Sequence, residues 1–151
     1  MKQAVLEIKA TLQVMKPANE VFEAIVDPVK MCNYFISEST GRMEEGKEVI
    51  WKFPEFDEKI PVRVKKIEKD KYIAFNWDLD GIEFLVEITL TPAGDATIVT
   101  ITEKDRENDE AGIHWLKGNT EGWANFLACM KAYLEYGINL RKGGFDFMMK
   151  S

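Results

Sequence analysis

Residues 119–142 read as one long helix, and it follows a series of short strand-like runs; this order narrows the folds open to the chain. Gly122–Trp123 stands near the start of the helix and Gly143–Gly144 closes it. At roughly 100° per residue, Trp123, Phe126, Leu127, Met130, Leu134, Gly137 and Ile138 share one stripe, and Cys129, Tyr133, Tyr136 and Leu140 widen it. The resulting apolar arc spans about 200°, twice the stripe of an ordinary surface helix. A helix of that kind is either gripped on two sides or leaves one flank for a partner or a second copy of the chain. Asn119 or Thr120 is placed to cap its start, and Arg141 and Lys142 fall in its last turn, where the helix dipole favours cations.

Residues 2–14 set Ala4, Leu6, Ile8, Ala10, Leu12 and Val14 on one face against Gln3, Glu7, Lys9 and Gln13 on the other, the period of two of a half-buried strand. Pro17 suits the first turn of a helix carrying Val21, Phe22 and Ile25. Asp27–Pro28 then opens a second short helix with Met31, Tyr34 and Phe35, the aspartate supplying an acceptor and the proline a preset φ. Further strands are expected near 47–53, 58–68, 71–78, 82–91 and 96–104. Gly46, Pro54, Lys69–Asp70, Asp80–Gly81 and Pro92–Ala93–Gly94–Asp95 separate them, so short turns should link them into an antiparallel meander. In 82–90, Ile82, Phe84, Val86, Ile88 and Leu90 alternate with Glu83, Glu87 and Thr89, leaving one sheet face apolar and one for water. The pattern predicts an α+β fold in which a curved antiparallel sheet of six to seven strands wraps the C-terminal helix, with two short helices after the first strand.

With 151 residues the chain is expected to form a single domain over 1–151 with a sizeable core. Its 46% hydrophobic and 30% charged content are those of an ordinary globular protein, and no apolar run is long enough to span a bilayer. Lys2 leads into strand alternation rather than into a signal peptide, so a cytoplasmic location is expected. Cys32 and Cys129 lack CxxC spacing and read as small core residues. A net charge of −6 opposes contact with phosphate backbones, which excludes nucleic acid as the expected partner.

Catalytic signals are sparse. No HExxH, GxSxG, phosphate-cradling glycine loop or cysteine pair is present, and no cofactor or metal is expected. The one histidine, His114, follows the acidic run Glu103, Asp105, Glu107, Asp109 and Glu110. It reads as part of a solvated loop, or else as a proton carrier or metal ligand at a cavity mouth. The aromatic residues offer more. Trp51, Phe53, Trp77, Phe84, Trp115 and Trp123, with Leu127 and Met130 on the helix, either fill a plain core or line a ligand cavity with few polar groups.

In order and spacing, several short segments together resemble one known family. They are Pro17–Ala18–Asn19–Glu20–Val21–Phe22–Glu23–Ala24–Ile25 with Asp27–Pro28, Tyr72–Ile73–Ala74–Phe75–Asn76–Trp77, Glu87–Ile88–Thr89–Leu90–Thr91–Pro92, and Glu121–Gly122–Trp123. The chain resembles the activator of Hsp90 ATPase homologue (AHSA1-like) family within the START, polyketide cyclase and Bet v 1-like helix-grip superfamily. The resemblance implies a hydrophobic cavity between sheet and helix that holds a hydrophobic or lipid-like small molecule without transforming it. It also implies two alternatives. One is a protein-interaction module that engages an Hsp90-type chaperone in ATPase activation or stress response, although a separate N-terminal domain like that of the full co-chaperone is not expected here. The other is a cyclase-like or hydrolytic enzyme, the less favoured reading. Monomer and homodimer both remain open.

Overall fold

The computed structural model describes residues 5–79 and 81–149. Ala4 and the two residues before it in the expected first strand, and Asp80 of an expected turn, lie outside the described residues. The chain builds a seven-stranded antiparallel sheet in the order β1-β7-β6-β5-β4-β3-β2. Strand β1 (Val5–Val14) forms one edge beside β7 (Ala96–Glu107). The others are β2 (Glu38–Ser39), β3 (Glu48–Lys52), β4 (Lys59–Glu68), β5 (Tyr72–Leu79) and β6 (Ile82–Ala93). Only the two-residue β2 falls outside the expected runs, since Glu38–Ser39 is too short to show alternation. Between β1 and β2, α1 (Ala18–Val26) and α2 (Pro28–Met31) carry the chain from one sheet edge to the other. Asp27 caps α2 as its type and place require: a carboxylate oxygen accepts from the Val29 N–H at 2.9 Å, with Pro28 at the first helical position.

Alternation decides the inner face. On β1, Ile8, Ala10 and Val14 are buried; on β5, Ile73, Phe75 and Trp77; on β6, Phe84, Val86, Ile88 and Leu90; on β7, Thr97, Val99 and Ile101. Ile82, at the start of β6, is exposed. The face so formed packs against α1, α2 and the long helix, and the resulting core is unusually aromatic. Phe126 meets Phe35 edge-on at 4.6 Å and lies 5.4 Å from Trp123 and 5.6 Å from Tyr34. Tyr34 is fully buried, its hydroxyl donating to the Ala24 carbonyl at 2.8 Å.

The long helix departs from its expected bounds at both ends. Helix α3 runs from Glu110 to Tyr136, not from 119 to 142. Asp109, read above as part of a solvated acidic run, caps it by accepting from the Gly112 N–H at 2.7 Å, so neither Asn119 nor Thr120 is a cap. The helix runs through Gly118 and Gly122 because Trp115, Trp123, Phe126, Leu127 and Met130 anchor its inner face, and packing overrides glycine's low propensity. It stops at Gly137, whose left-handed φ of 66° lets its N–H reach Tyr133 and the Ile138 N–H reach Ala132, satisfying the last carbonyls. Ile138, Leu140, Arg141 and Lys142 therefore leave the helix, and the segment 138–149 turns back on itself, ending in a short 3-10 turn at Asp146–Met148. The apolar arc is narrower than the wheel suggested. Tyr133 stacks on Tyr34 at 5.7 Å, whereas Tyr136 stays exposed.

Candidate functional site

Strand β7 places four side chains on its inner face by simple alternation: Thr97, Val99, Ile101 and Glu103, all fully buried. A carboxylate at such a position is costly unless its oxygens are satisfied. Three N–H groups converge on Glu103. The Trp77 indole on β5 donates to Oε2 at 2.6 Å, and Oε1 accepts from Asn119 Nδ2 at 2.9 Å and from the Trp123 indole at 3.3 Å. Asn119 and Trp123 stand four residues apart on α3 and so share its inward face. Among the described residues no lysine or arginine forms an ion pair with Glu103. The carboxylate thus ties sheet to helix through neutral donors, with three of its roughly four acceptor positions used. Just beyond it the β1–β7 register slips, and Asp105 takes a left-handed φ of 76°, so the inward alternation ends at Glu103.

Beside this cluster lies a pocket of about 260 Å³. Trp77 and Trp123 line it, joined by Phe35, Phe53 and Phe56. Asn119, Glu121 and Asn125 of α3 supply polar edges. The segment after α3 adds Arg141, Phe145 and Met148. Arg141 is the hinge of the arrangement. Its guanidinium pairs with the nearly buried Glu55 and lies over Phe145, Phe53 and Phe35 at 4.5, 5.3 and 5.8 Å from the ring centroids. Its Nε is buried and has no hydrogen-bond partner among the described residues. On the far side of Arg141 and Phe35 a second pocket, about 270 Å³, reaches Cys32, Ser37, Lys142 and Asp146. Burial, and secondarily Glu38, pushes the Cys32 thiol above its ordinary pKa, which favours the protonated form over the nucleophilic thiolate.

Of the residues singled out in the sequence, Phe53, Trp77 and Trp123 come together around the first pocket. Trp51 sits behind them in the core, edge-on to Phe75 at 5.5 Å and to Trp77 at 6.2 Å. Phe84 and Trp115 stack on each other at 5.1 Å, and Leu127 and Met130 are core side chains. None of these five lines the pocket. His114 lies exposed on α3 rather than in a loop, and it lines neither pocket. Among the described residues no three His, Cys, Asp or Glu side chains gather as a metal site would require. No helix among them is long and apolar enough to cross a membrane.

Glu103, Asn119 and Arg141 were not singled out as site residues in the sequence. Glu103 carried a usable signal, because it continues the inward series Thr97, Val99, Ile101, yet its acidic neighbours Asp105 and Glu107 hid it in an apparent solvated run. Asn119 and Arg141 carried none, since their roles depend on where α3 begins and ends.

Comparison with known proteins agrees with this fold. A family model described as Activator of Hsp90 ATPase homolog 1-like protein matches residues 16–135. No curated protein matches the chain. Among solved structures, the protein SSP2350 from Staphylococcus saprophyticus is 34% identical with a TM-score of 0.81, the match covering 90% of this chain and 96% of that one. DynU16, a protein of the dynemicin biosynthetic locus, is 25% identical with a TM-score of 0.78, covering 87% of this chain and 48% of that one. The Aha1 dimer from Colwellia psychrerythraea shares the fold at 16% identity and a TM-score of 0.74, covering 87% and 98%.

Proposed function

The chain belongs to the activator of Hsp90 ATPase homolog 1-like family, and from that premise we propose that it binds an apolar or amphipathic small molecule, without transforming it, in the pocket between Trp77, α3 and the segment after α3. The observation that carries this reading is the pocket's composition. Six aromatic side chains line it, and Arg141, Asn119, Glu121 and Asn125 are its few polar groups. Small-molecule sites are mostly apolar concavities with a few placed polar groups, commonly about 300–1,000 Å³, so this one suits a compact ligand of one or two rings. Trp51, Phe84, Trp115, Leu127 and Met130 would then serve the ligand indirectly, as the packed wall behind Trp77 and Trp123. The place of DynU16 in a biosynthetic locus is in keeping with a fold that handles small molecules.

A thermal-shift and native mass spectrometry screen of lipids and metabolites tests the reading. A bound compound should raise the melting temperature, and Phe56→Ala should weaken it by about tenfold, the loss expected for a ring's apolar contact. Phe56 is 39% exposed, so removing it leaves the core intact, which is not true of Trp123. A compound that binds equally well to Phe56→Ala sits elsewhere, and a screen without hits ends the proposal.

The second reading is engagement of an Hsp90-type chaperone. It is favoured by the family and by the apolar side chains exposed on the segment after α3, notably Ile138, Leu140 and Phe147, the last 79% exposed. The expected result is co-purification with the cell's Hsp90-type chaperone that a Leu140→Ser/Phe147→Ser double variant abolishes. Equal recovery of the chaperone with both proteins, or none with either, removes this reading.

A further inference from the structure

We infer that Glu103, by setting which way round the Asn119 amide sits, makes the α3 side of the pocket a hydrogen-bond acceptor, so that the ligand is a ring compound carrying a hydroxyl or N–H at that end. This rests on the pocket reading above and names the chemistry it selects. Asn119 Nδ2 donates to Glu103 Oε1 at 2.9 Å. Turning the amide over would place its carbonyl against a carboxylate oxygen, two acceptors in contact with no proton between them. The neighbouring indoles cannot relieve that conflict, because a tryptophan N–H only donates. Asn119 therefore keeps its nitrogen on Glu103 and has its carbonyl Oδ1 left over, and among the described residues nothing donates to that oxygen.

The surroundings reinforce the same polarity. Glu121 lines the same pocket from α3 and adds a second acceptor, while Asn125 can serve in either sense. The cation of the pocket, Arg141, belongs to the facing segment. A ring with a hydroxyl toward α3 and an acceptor toward Arg141 meets both demands. An ether of the same shape covers Asn119 Oδ1 without pairing it, which lowers its affinity relative to the hydroxyl compound. Glu103 itself does not line the pocket, and both its oxygens already hold donors, so it is a positioning residue and not a catalytic one.

Titration calorimetry of the full chain with naphthol and with its methyl ether tests this. Wild type should bind naphthol more tightly, on the order of tenfold. Glu103→Leu removes the anchor that fixes the Asn119 amide, so either end of the amide can face the pocket and the preference for naphthol should fall toward one. Should that variant fail to fold, Asn119→Ala removes the acceptor directly and should also bring the ratio to about one. A purely structural role for Glu103 would weaken both probes alike and leave the ratio unchanged, which would overturn the inference. Equal binding of the two probes to wild type overturns it while leaving the pocket standing. Binding of neither overturns the inference and the pocket reading together.

Discussion

Replacing Glu103 by leucine should lower the stability of the protein by about 3 kcal/mol, although it exchanges a buried carboxylate for an apolar side chain of similar size. Swapping buried polar groups for apolar ones is nearly neutral only when every partner is replaced as well. Here the Trp77 and Trp123 indoles and the Asn119 amide would stay in place with their N–H groups facing a hydrocarbon. Each buried donor left unpaired costs about 1–3 kcal/mol, and Asn119, the least enclosed of the three, recovers most of its share from water. Glu103→Gln keeps one carbonyl, which can still accept from Asn119 and Trp123, and should cost less. Urea unfolding of the two variants beside wild type measures both values. A leucine variant within 0.5 kcal/mol of wild type, or about that, would mean that the cluster adds nothing net to the fold.

Gly112→Ala should destabilise the protein by about 1–3 kcal/mol or more, the reverse of the usual effect of that change in a helix. Alanine ordinarily gains close to ~1 kcal/mol over glycine within a helix by reducing the freedom of the unfolded chain. At Gly112, however, a Cβ would overlap the Glu107 carbonyl oxygen and crowd the Asp109 carboxylate at 3.1 Å. The obstacle is backbone, so it cannot turn aside as a side chain would, and either the β7–α3 connection shifts or the Asp109 cap opens. Gly118→Ala is the internal control. A Cβ there meets nothing within 4 Å, and the exposed site should show the ordinary gain. Two melting curves decide the matter, because opposite signs are expected from the same substitution in one helix. Equal gains at both sites would show that the tight approach at Gly112 is relieved at no cost.

These two residues also mark where sequence reasoning reached and where it stopped. The inner-face alternation of β1 and β6 was readable because a strand buries every second side chain, whatever its neighbours do. The same rule, carried along β7, would place Glu103 inside, but its charge and acidic neighbours put it in a solvated run instead. Charge suggested solvent; alternation was the better guide, because the fold had donors ready to meet the carboxylate. The start of α3 was misjudged for a related reason. Aspartate is both an acidic surface residue and a strong N-cap, and Asp109 reads as either until the chain that follows it is seen to turn. At the other end, Gly137 carried the stop signal, but the apolar residues beyond it, Ile138 and Leu140, continued the helical pattern in sequence although their side chains stay half exposed.

What the sequence determined by itself was the class of fold: the strand runs, the two short helices with their Asp27–Pro28 junction, and one long amphipathic helix on the apolar face of the sheet. Those follow from local periodicity and capping, which act over a few residues. Only the tertiary structure decided where the pocket lies and which groups give it polarity. Trp77, Glu103, Asn119 and Trp123 come from β5, β7 and α3, and Arg141 arrives only because the chain turns back after Gly137. Meetings of that kind depend on sheet order and on the length of a helix, and no spacing along the chain encodes them.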